Sequence, residues 1–241
     1  MRLRLIRHAT VVLSTGGKTI LVDPMLDPAG ERDAVEDTPN QRRNPLVDLP
    51  EPAEVVVQGI DAVLVTHLHQ DHFDATAARL LRKDLPLFCA PDDVERLRGH
   101  GFGDLRPVDD AVDWEGVHIA RTTGIHGELG PTPGFVIDSL YVAGDTVWCE
   151  EVRAALDAHH PDVVVVNAGG ARFLGGDPIV MTADDVVAVA RHAPDARVVA
   201  VHMEAINHCL LARADLHQRL HDEGLTNQVT VPEDGAEVPL P

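Results

Sequence analysis

Thr66-His67-Leu68-His69-Gln70-Asp71-His72 follows directly on the apolar run Ala62–Val65 and places four potential metal ligands within six residues. The run has the length of a strand bounded by a turn. Alternate residues of extended chain point the same way, so His67 and His69 can converge on one ion. The turn that follows offers Asp71 and His72 to a second position nearby. A cluster of solvated histidines at a strand end is the competing explanation. The spacing, and the position at a strand's carboxyl end, favour a site.

Strands and helices alternate on both sides of this stretch. Leu3, Leu5, Val11–Leu13, the Gly16-Gly17 pair and Thr19–Val22 predict a hairpin. Residues 25–57 carry Pro, Asp, Asn and Arg without a period over a length beyond ordinary connections, the mark of a functional loop or lid. Ala77, Leu80 and Leu81 predict a helix capped by Asp74. Pro86–Ala90 reads as a strand, and Val94 with Leu97 as a short helix stopped by Gly99 and Gly101. Trp114–Ile119 and Phe135–Val142 alternate as strands of an antiparallel pair or meander, and Val152, Ala155 and Leu156 mark a helix. Val163–Val166 and Val198–Val201 have the continuous apolar character of strands buried on both faces. The helix between them begins at a Thr182/Asp185 capping pattern and stops at Pro194. Leu211, Leu216 and Leu220 predict a last helix ended by Gly224. The expectation is a single α/β domain over residues 1–241, with sheet covered by helices.

Composition narrows the function. At 241 residues, 44% hydrophobic and 24% charged, the chain can bury a sizeable core, and no apolar run approaches the ~18–20 residues of a membrane span. The opening MRLRLIRH lacks the apolar segment of a secretory signal, which predicts a cytoplasmic protein. Cys89, Cys149 and Cys209 form no CxxC pair, against a disulfide framework or a cysteine-built zinc site. A net charge of −19 repels nucleic acid and anionic lipid surfaces. With two Trp, one Tyr and five Phe, the chain offers no base-stacking platform. The expected partner is a small-molecule substrate, with homo-oligomerisation open.

The His-x-His-x-Asp-His pattern resembles the signature of the metallo-β-lactamase superfamily, which implies a four-layer αββα sandwich over most of the chain. The resemblance also implies a third histidine, a metal-bridging aspartate and a last histidine. His126 of Gly124-Ile125-His126-Gly127, Asp145 of Ala143-Gly144-Asp145-Thr146 and His202 of Val199-Ala200-Val201-His202 stand in those places. One metal position would then consist of His67, His69 and His126, another of Asp71, His72 and His202, with Asp145 shared. A carboxylate has two oxygens for bridging, and neutral imidazoles limit the charge gathered around the ions. His202 is preferred over His208 as the last ligand because it ends a buried strand. Arg7-His8-Ala9 and Asp23-Pro24 resemble elements of the branch that includes L-ascorbate-6-phosphate lactonase and N-acylphosphatidylethanolamine phospholipase D, with Arg7 in place of the usual glycine.

The resulting expectation is a hydrolase holding two divalent ions, zinc first, with manganese or iron as alternatives. Such a pair lowers the pKa of water from ~15.7 towards neutrality. Asp71 would orient the resulting hydroxide, and His8 or His208 would serve the leaving group. Arg42, Arg43, Arg172, Asn167 and Glu204 are the candidate substrate contacts, for a small anionic lactone or phosphodiester. The alternative is a mononuclear iron oxygenase of persulfide-dioxygenase type on the same fold. His217 and His221 lack the glutamate of a metalloprotease helix and read as a solvated face, and His159-His160 reads as the polar end of a helix. Gly169-Gly170 matches no phosphate loop and reads as a tight turn near the site.

Overall fold

The computed structural model describes residues 1–240. Its first half contains β1 (Arg2–Arg7), β2 (Thr10–Thr15), β3 (Lys18–Val22), α1 (Ala53–Val56), β4 (Ala62–Leu64), α2 (Ala75–Leu80), β5 (Leu87–Cys89), α3 (Val94–Gly99) and β6 (Leu105–Pro107). The second contains β7 (Ala111–Trp114), β8 (Val117–Ile125), β9 (Pro131–Ile137), β10 (Leu140–Val142), α4 (Glu150–His159), β11 (Val163–Asn167), α5 (Ala183–His192), β12 (Arg197–Val201), α6 (Arg213–Asp222), β13 (Val229–Thr230) and β14 (Glu237–Val238).

The strands form two seven-stranded mixed sheets, ordered β14-β1-β2-β3-β4-β5-β6 and β13-β12-β11-β10-β9-β8-β7. Three apolar clusters fill the spaces between layers. Leu5, Leu13, Ile20, Leu64 and Phe88 of the first sheet meet Trp114, Ile119, Phe135, Val165 and Val201 of the second. Ile6, Leu21 and Val63 face Ala77, Leu81 and Leu97 from the helical side of the first sheet. Val164, Val166 and Val198 do the same with Val152, Val186, Val189, Leu216 and Leu220. The fold is therefore the αββα sandwich of the metallo-β-lactamase superfamily, with each sheet covered by helices on its outer face.

Local chemistry sets the helix starts. Asp74 accepts a hydrogen bond from the Ala77 amide, and Thr182 with Asp185 makes both bonds of a capping box. The amino-terminal hairpin continues into a three-strand meander. Two expected strands are hairpins instead. Trp114–Ile119 turns at Glu115-Gly116, both with positive φ, and Phe135–Val142 turns at Asp138-Ser139, with Asp138 at φ 53°. Alternation persists across a two-residue turn, so periodicity alone merges such arms; the Glu-Gly and Asp-Ser pairs were the available signal. Short β6, β13 and β14 carried too few residues to show a period.

Pairing directions gather the functional loops. β1, β3 and β4 run the same way in one sheet, as do β8, β10, β11 and β12 in the other. Their carboxyl ends meet at one edge of the sandwich, where the His202 amide donates to the His8 carbonyl at 2.9 Å across the two sheets.

Candidate metal centre and active-site cavity

Two clusters of donor side chains occupy this edge. His8, Asp71, His72 and His202 form one, and His67, His69, His126 and Asp145 the other, each offering ligand atoms within 4.8 Å of one another. Asp145 lies between them. Its Oδ1 is 3.3 Å from His72 Nε2 and 3.2 Å from His202 Nε2, while Oδ2 is 3.5 Å from His126 Nε2 and 3.8 Å from His67 Nε2. In the second cluster His67 Nε2 stands 2.9 Å from His69 Nδ1.

The outer ring nitrogens show why these atoms fit metal. His126 Nδ1 donates to the Ile179 carbonyl at 2.7 Å, and His72 Nδ1 to Asp23 Oδ2 at 2.8 Å. Either bond, in a neutral ring, leaves the Nε2 lone pair facing the cluster. Inward lone pairs opposite a carboxylate repel unless a cation sits between them. Without one, protons take that place. Burial opposes charging His72, yet Asp145, Asp23 and Asp71 together hold it well above the usual histidine range. His202 is raised to about 10 against the same burial, by Asp145, Cys209 and Asp71. Asp145 and Asp71, although buried, are kept well below the usual carboxylate range by the surrounding histidines, His202 and His72 foremost for Asp145 and His72 for Asp71. Burial pushes His8 and His67 well below the usual range.

Backbone strain accompanies these positions. His8, Asp23 and His202 take φ values of 61°, 45° and 64°, unfavourable for residues with a Cβ and held here by the surrounding bonds. Glycines make room. A Cβ on Gly169 would collide with the His202 carbonyl oxygen, so the tight turn expected there is a close approach to the loop that carries His202.

Next to Asp145 lies a cavity of about 370 Å³. His69, Asp71, His126 and Asp145 form its polar floor, Val35, Phe173, Ile179 and Ile206 its apolar walls, and Leu129 its rim. His208 also lines it. This ring is 93% buried, or 7% exposed, its Nδ1 has no partner among the described residues, and burial pushes its pKa down.

Other expected contacts lie elsewhere. Arg42 and Arg43 are exposed and outside the cavity lining; Arg43 is engaged by Asp33 and by the Gly30 and Glu31 carbonyls. Arg172 lines a separate depression with Thr182 and Leu210. Glu204 receives the Arg213 amide and guanidinium, at 2.9 and 2.6 Å, and so anchors α6. Asn167 Nδ2 donates to Asp145 Oδ1 at 2.6 Å, behind the floor of the cavity. His8 Nε2 is 3.3 Å from Asp71 Oδ2 and joins the donor cluster, away from the substrate space. The arginine in the cavity wall is Arg32, whose Nη2 has no partner among the described residues. It sits in an aperiodic loop, and only the fold selects it from its neighbours. Asp23, an N-terminal resemblance in the sequence, proves to stand behind His72.

Arg7, the departure from the glycine of the resembling branch, is fully buried. Its guanidinium donates to the carbonyls of Val47, Met25 and Asp27 at 2.9, 3.0 and 2.9 Å, tying the start of the 25–57 stretch, and Val47 on its returning arm, to the end of β1.

Comparisons with known proteins agree with this geometry. Residues 18–203 match the family model described as the beta-lactamase superfamily domain. The UPF0173 protein YddR of Bacillus subtilis is 35% identical over 249 aligned positions, covering 98% of both chains. A crystal structure of a possible metal-dependent hydrolase from Veillonella parvula superposes with a TM-score of 0.97 at 33% identity, over 100% of this chain and 99% of that one. An isothiocyanate hydrolase from Delia radicum gut bacteria superposes at 0.95, with 35% identity over 100% and 99%. The fold, donor clusters and full-length similarity lead to one conclusion: the chain belongs to the beta-lactamase superfamily and, within it, to the UPF0173 family of metal-dependent hydrolases.

Proposed function

We propose that this hydrolase holds two divalent ions, one in each donor cluster with Asp145 shared, and acts on a small electrophile with an apolar tail. The observation carrying the substrate reading is the cavity, whose polar floor of Asp71 and Asp145 is walled by Val35, Phe173, Ile179 and Ile206. An apolar tail is desolvated against such walls while its reactive carbon meets the floor. Isothiocyanates fit this description, and the similar gut-bacterial enzyme is an isothiocyanate hydrolase. Water added across the N=C bond of R–N=C=S, followed by C–N cleavage, gives R–NH2 and carbonyl sulfide.

Zinc, manganese or iron at such a site supplies a water of lowered pKa and polarises the electrophilic centre. The protein residues provide the rest. Asp71, ionised, orients the attacking water from the floor of the cavity. His208, kept neutral by burial, presents a ring N–H to the departing nitrogen. Asn167 holds Asp145 in place, and His8 adds a donor to the Asp71 cluster.

A second reading retains the anionic lactone or phosphodiester of the resembling lactonase and phospholipase branch, for which Arg32 in the cavity wall, paired with Asp27 at 3.2 Å, is the available cation. The mononuclear iron oxygenase is less well supported, since its chemistry would leave the His8, Asp71, His72 and His202 cluster without a role. Elemental analysis of protein purified without added metal, with His67→Ala and His202→Ala beside it, tests the metal reading. About two ions in the native protein and about one in each variant are expected. One iron with sulfur-dependent oxygen uptake would replace this reading with the oxygenase. Assays on isothiocyanates, lactones and phosphodiesters with and without Arg32→Ala then separate the substrate classes.

A further inference from the structure

The 25–57 stretch contributes Arg32, Val35 and Asn44 to the cavity, and besides its bonds to Arg7 it is held to the rest of the molecule at its centre. Its two arms pair through Arg32 and Asn44, and the Gly30 amide donates to the Pro45 carbonyl at 2.8 Å. Between the arms sits Asn207, which is fully buried and adjoins His208 in the loop after β12. Its Oδ1 accepts from the Val35 amide at 2.9 Å and from Asn44 Nδ2 at 2.6 Å. Its Nδ2 faces Thr38 Oγ1 at 2.7 Å, the Asn40 carbonyl at 2.5 Å and the Val35 carbonyl at 3.1 Å. Its own amide donates to Asn44 Oδ1 at 2.9 Å. A backbone amide can only donate and a carbonyl can only accept, so Val35 and Asn40 fix which end of the carboxamide carries the oxygen.

We infer that Asn207 is a positioning residue that fastens the 35–44 segment as a preset wall of the cavity, so that the substrate tail is selected by a fixed width. The selection part rests on the hydrolase reading above; the fastening does not. A buried polar network of this kind is stable only when every member is satisfied, which makes the segment sensitive to either end of the carboxamide. Val35 also packs against Met25, Ala205 and Ile206, so displacing it moves a wall that Ile206 shares. None of these atoms belongs to the donor clusters.

Asn207→Asp and Asn207→Ala test this. The aspartate keeps acceptors for Val35 and Asn44 but turns an oxygen towards the Thr38, Asn40 and Val35 oxygens; alanine removes both sets of bonds. In both variants, amide exchange across residues 35–44 should accelerate by about tenfold or more while exchange in β11 and β12 stays native. Metal content should be unchanged. With isothiocyanates of increasing alkyl length, native KM should rise steeply once the tail outgrows the cavity. The variants should lose that dependence while kcat stays within about threefold. Native exchange in residues 35–44 of both variants, or acceleration spread over both sheets, would overturn the fastening. An unaltered dependence of KM on length would overturn the selection. Should the Asn207 variants not fold, Thr38→Val, outside the cavity lining, removes the hydroxyl that Asn207 Nδ2 meets at 2.7 Å and gives the same readouts. A native enzyme inactive on every isothiocyanate would count against the substrate reading alone, because the exchange result stands without a substrate.

Discussion

Histidine 72 illustrates how one ring depends on its neighbours. Asp23 Oδ2 receives its Nδ1, and Asp23 also receives the Thr66 amide and hydroxyl, each at 2.7 Å. In Asp23→Asn the amide nitrogen can face His72, inviting the tautomer with Nδ1 as acceptor and the proton on Nε2, the wrong form for a ligand. Metal affinity is expected to fall by about 10- to 100-fold, measured by chelator competition, with the far-ultraviolet spectrum unchanged. Metal uptake should also depend on pH. In the metal-free protein the surrounding carboxylates hold His72 well above its ordinary value and His202 at about 10, which favours protons on this pair. The His202 contribution to metal-free stability is complete below the unfolded value of ~6.5 and is lost as pH rises through about 10. Uptake must displace those protons, so affinity should increase with pH, and calorimetry in buffers of different ionisation enthalpy should register proton release. No proton release would contradict the protonated state. At this scale spacing alone picked out His67, His69, Asp71 and His72 as candidate donors, which the structure brings into the two clusters; Asp23 showed only as part of an Asp-Pro resemblance, and Asn167, expected at the substrate, meets Asp145 instead.

Whole elements were legible where a period or a cap marked them, as in α2 behind Asp74 and α5 behind Thr182. Thr182→Ala should cost about 1 kcal/mol by removing the capping box, and melt on the order of 2–4 °C lower, with metal content intact. Gly169→Ala touches a different part of the structure. The added Cβ would collide with the His202 carbonyl and meet Cys209 Sγ at 2.8 Å, both beside a member of the first donor cluster. It should destabilise by roughly 1–3 kcal/mol and also lower metal content, a joint loss that the Thr182 variant lacks. Equal metal content in the two variants would separate Gly169 from the His202 loop. Residues 25–52 lack helix and strand as their aperiodic composition suggests, but the loop expected over 25–57 ends in α1 (Ala53–Val56), and its attachments left no mark in the sequence. Arg7 and Asn207 hold it through carbonyls and amides distant in sequence, and backbone partners have no signature in residue type.

At the scale of the whole molecule, the donors are divided between the sheets. His8, His67, His69, Asp71 and His72 follow β1 and β4 of one sheet, whereas His126, Asp145 and His202 follow β8, β10 and β12 of the other. The core between the sheets joins them through apolar contacts, which have no preferred partner; the centre adds directed bonds at one edge. Ions bound there would crosslink the two halves in the folded state only. Binding to the native state stabilises by RT ln(1 + [L]/Kd), about 2.7 kcal/mol at a hundredfold excess over Kd. The metal-free protein should therefore melt several degrees lower, and titrating metal back should raise the transition with the logarithm of free ion concentration. His202→Ala, which cuts a donor from the second sheet, should lose much of that increment. Asn207→Ala should keep it, because its bonds fasten the cavity wall without touching the donor clusters. A melting temperature indifferent to metal in the native protein would mean that the ions do not join the sheets, and that the core, the His202–His8 backbone bond and the bonds of the 35–46 segment to Ala205 and Asn207 hold this edge closed without them.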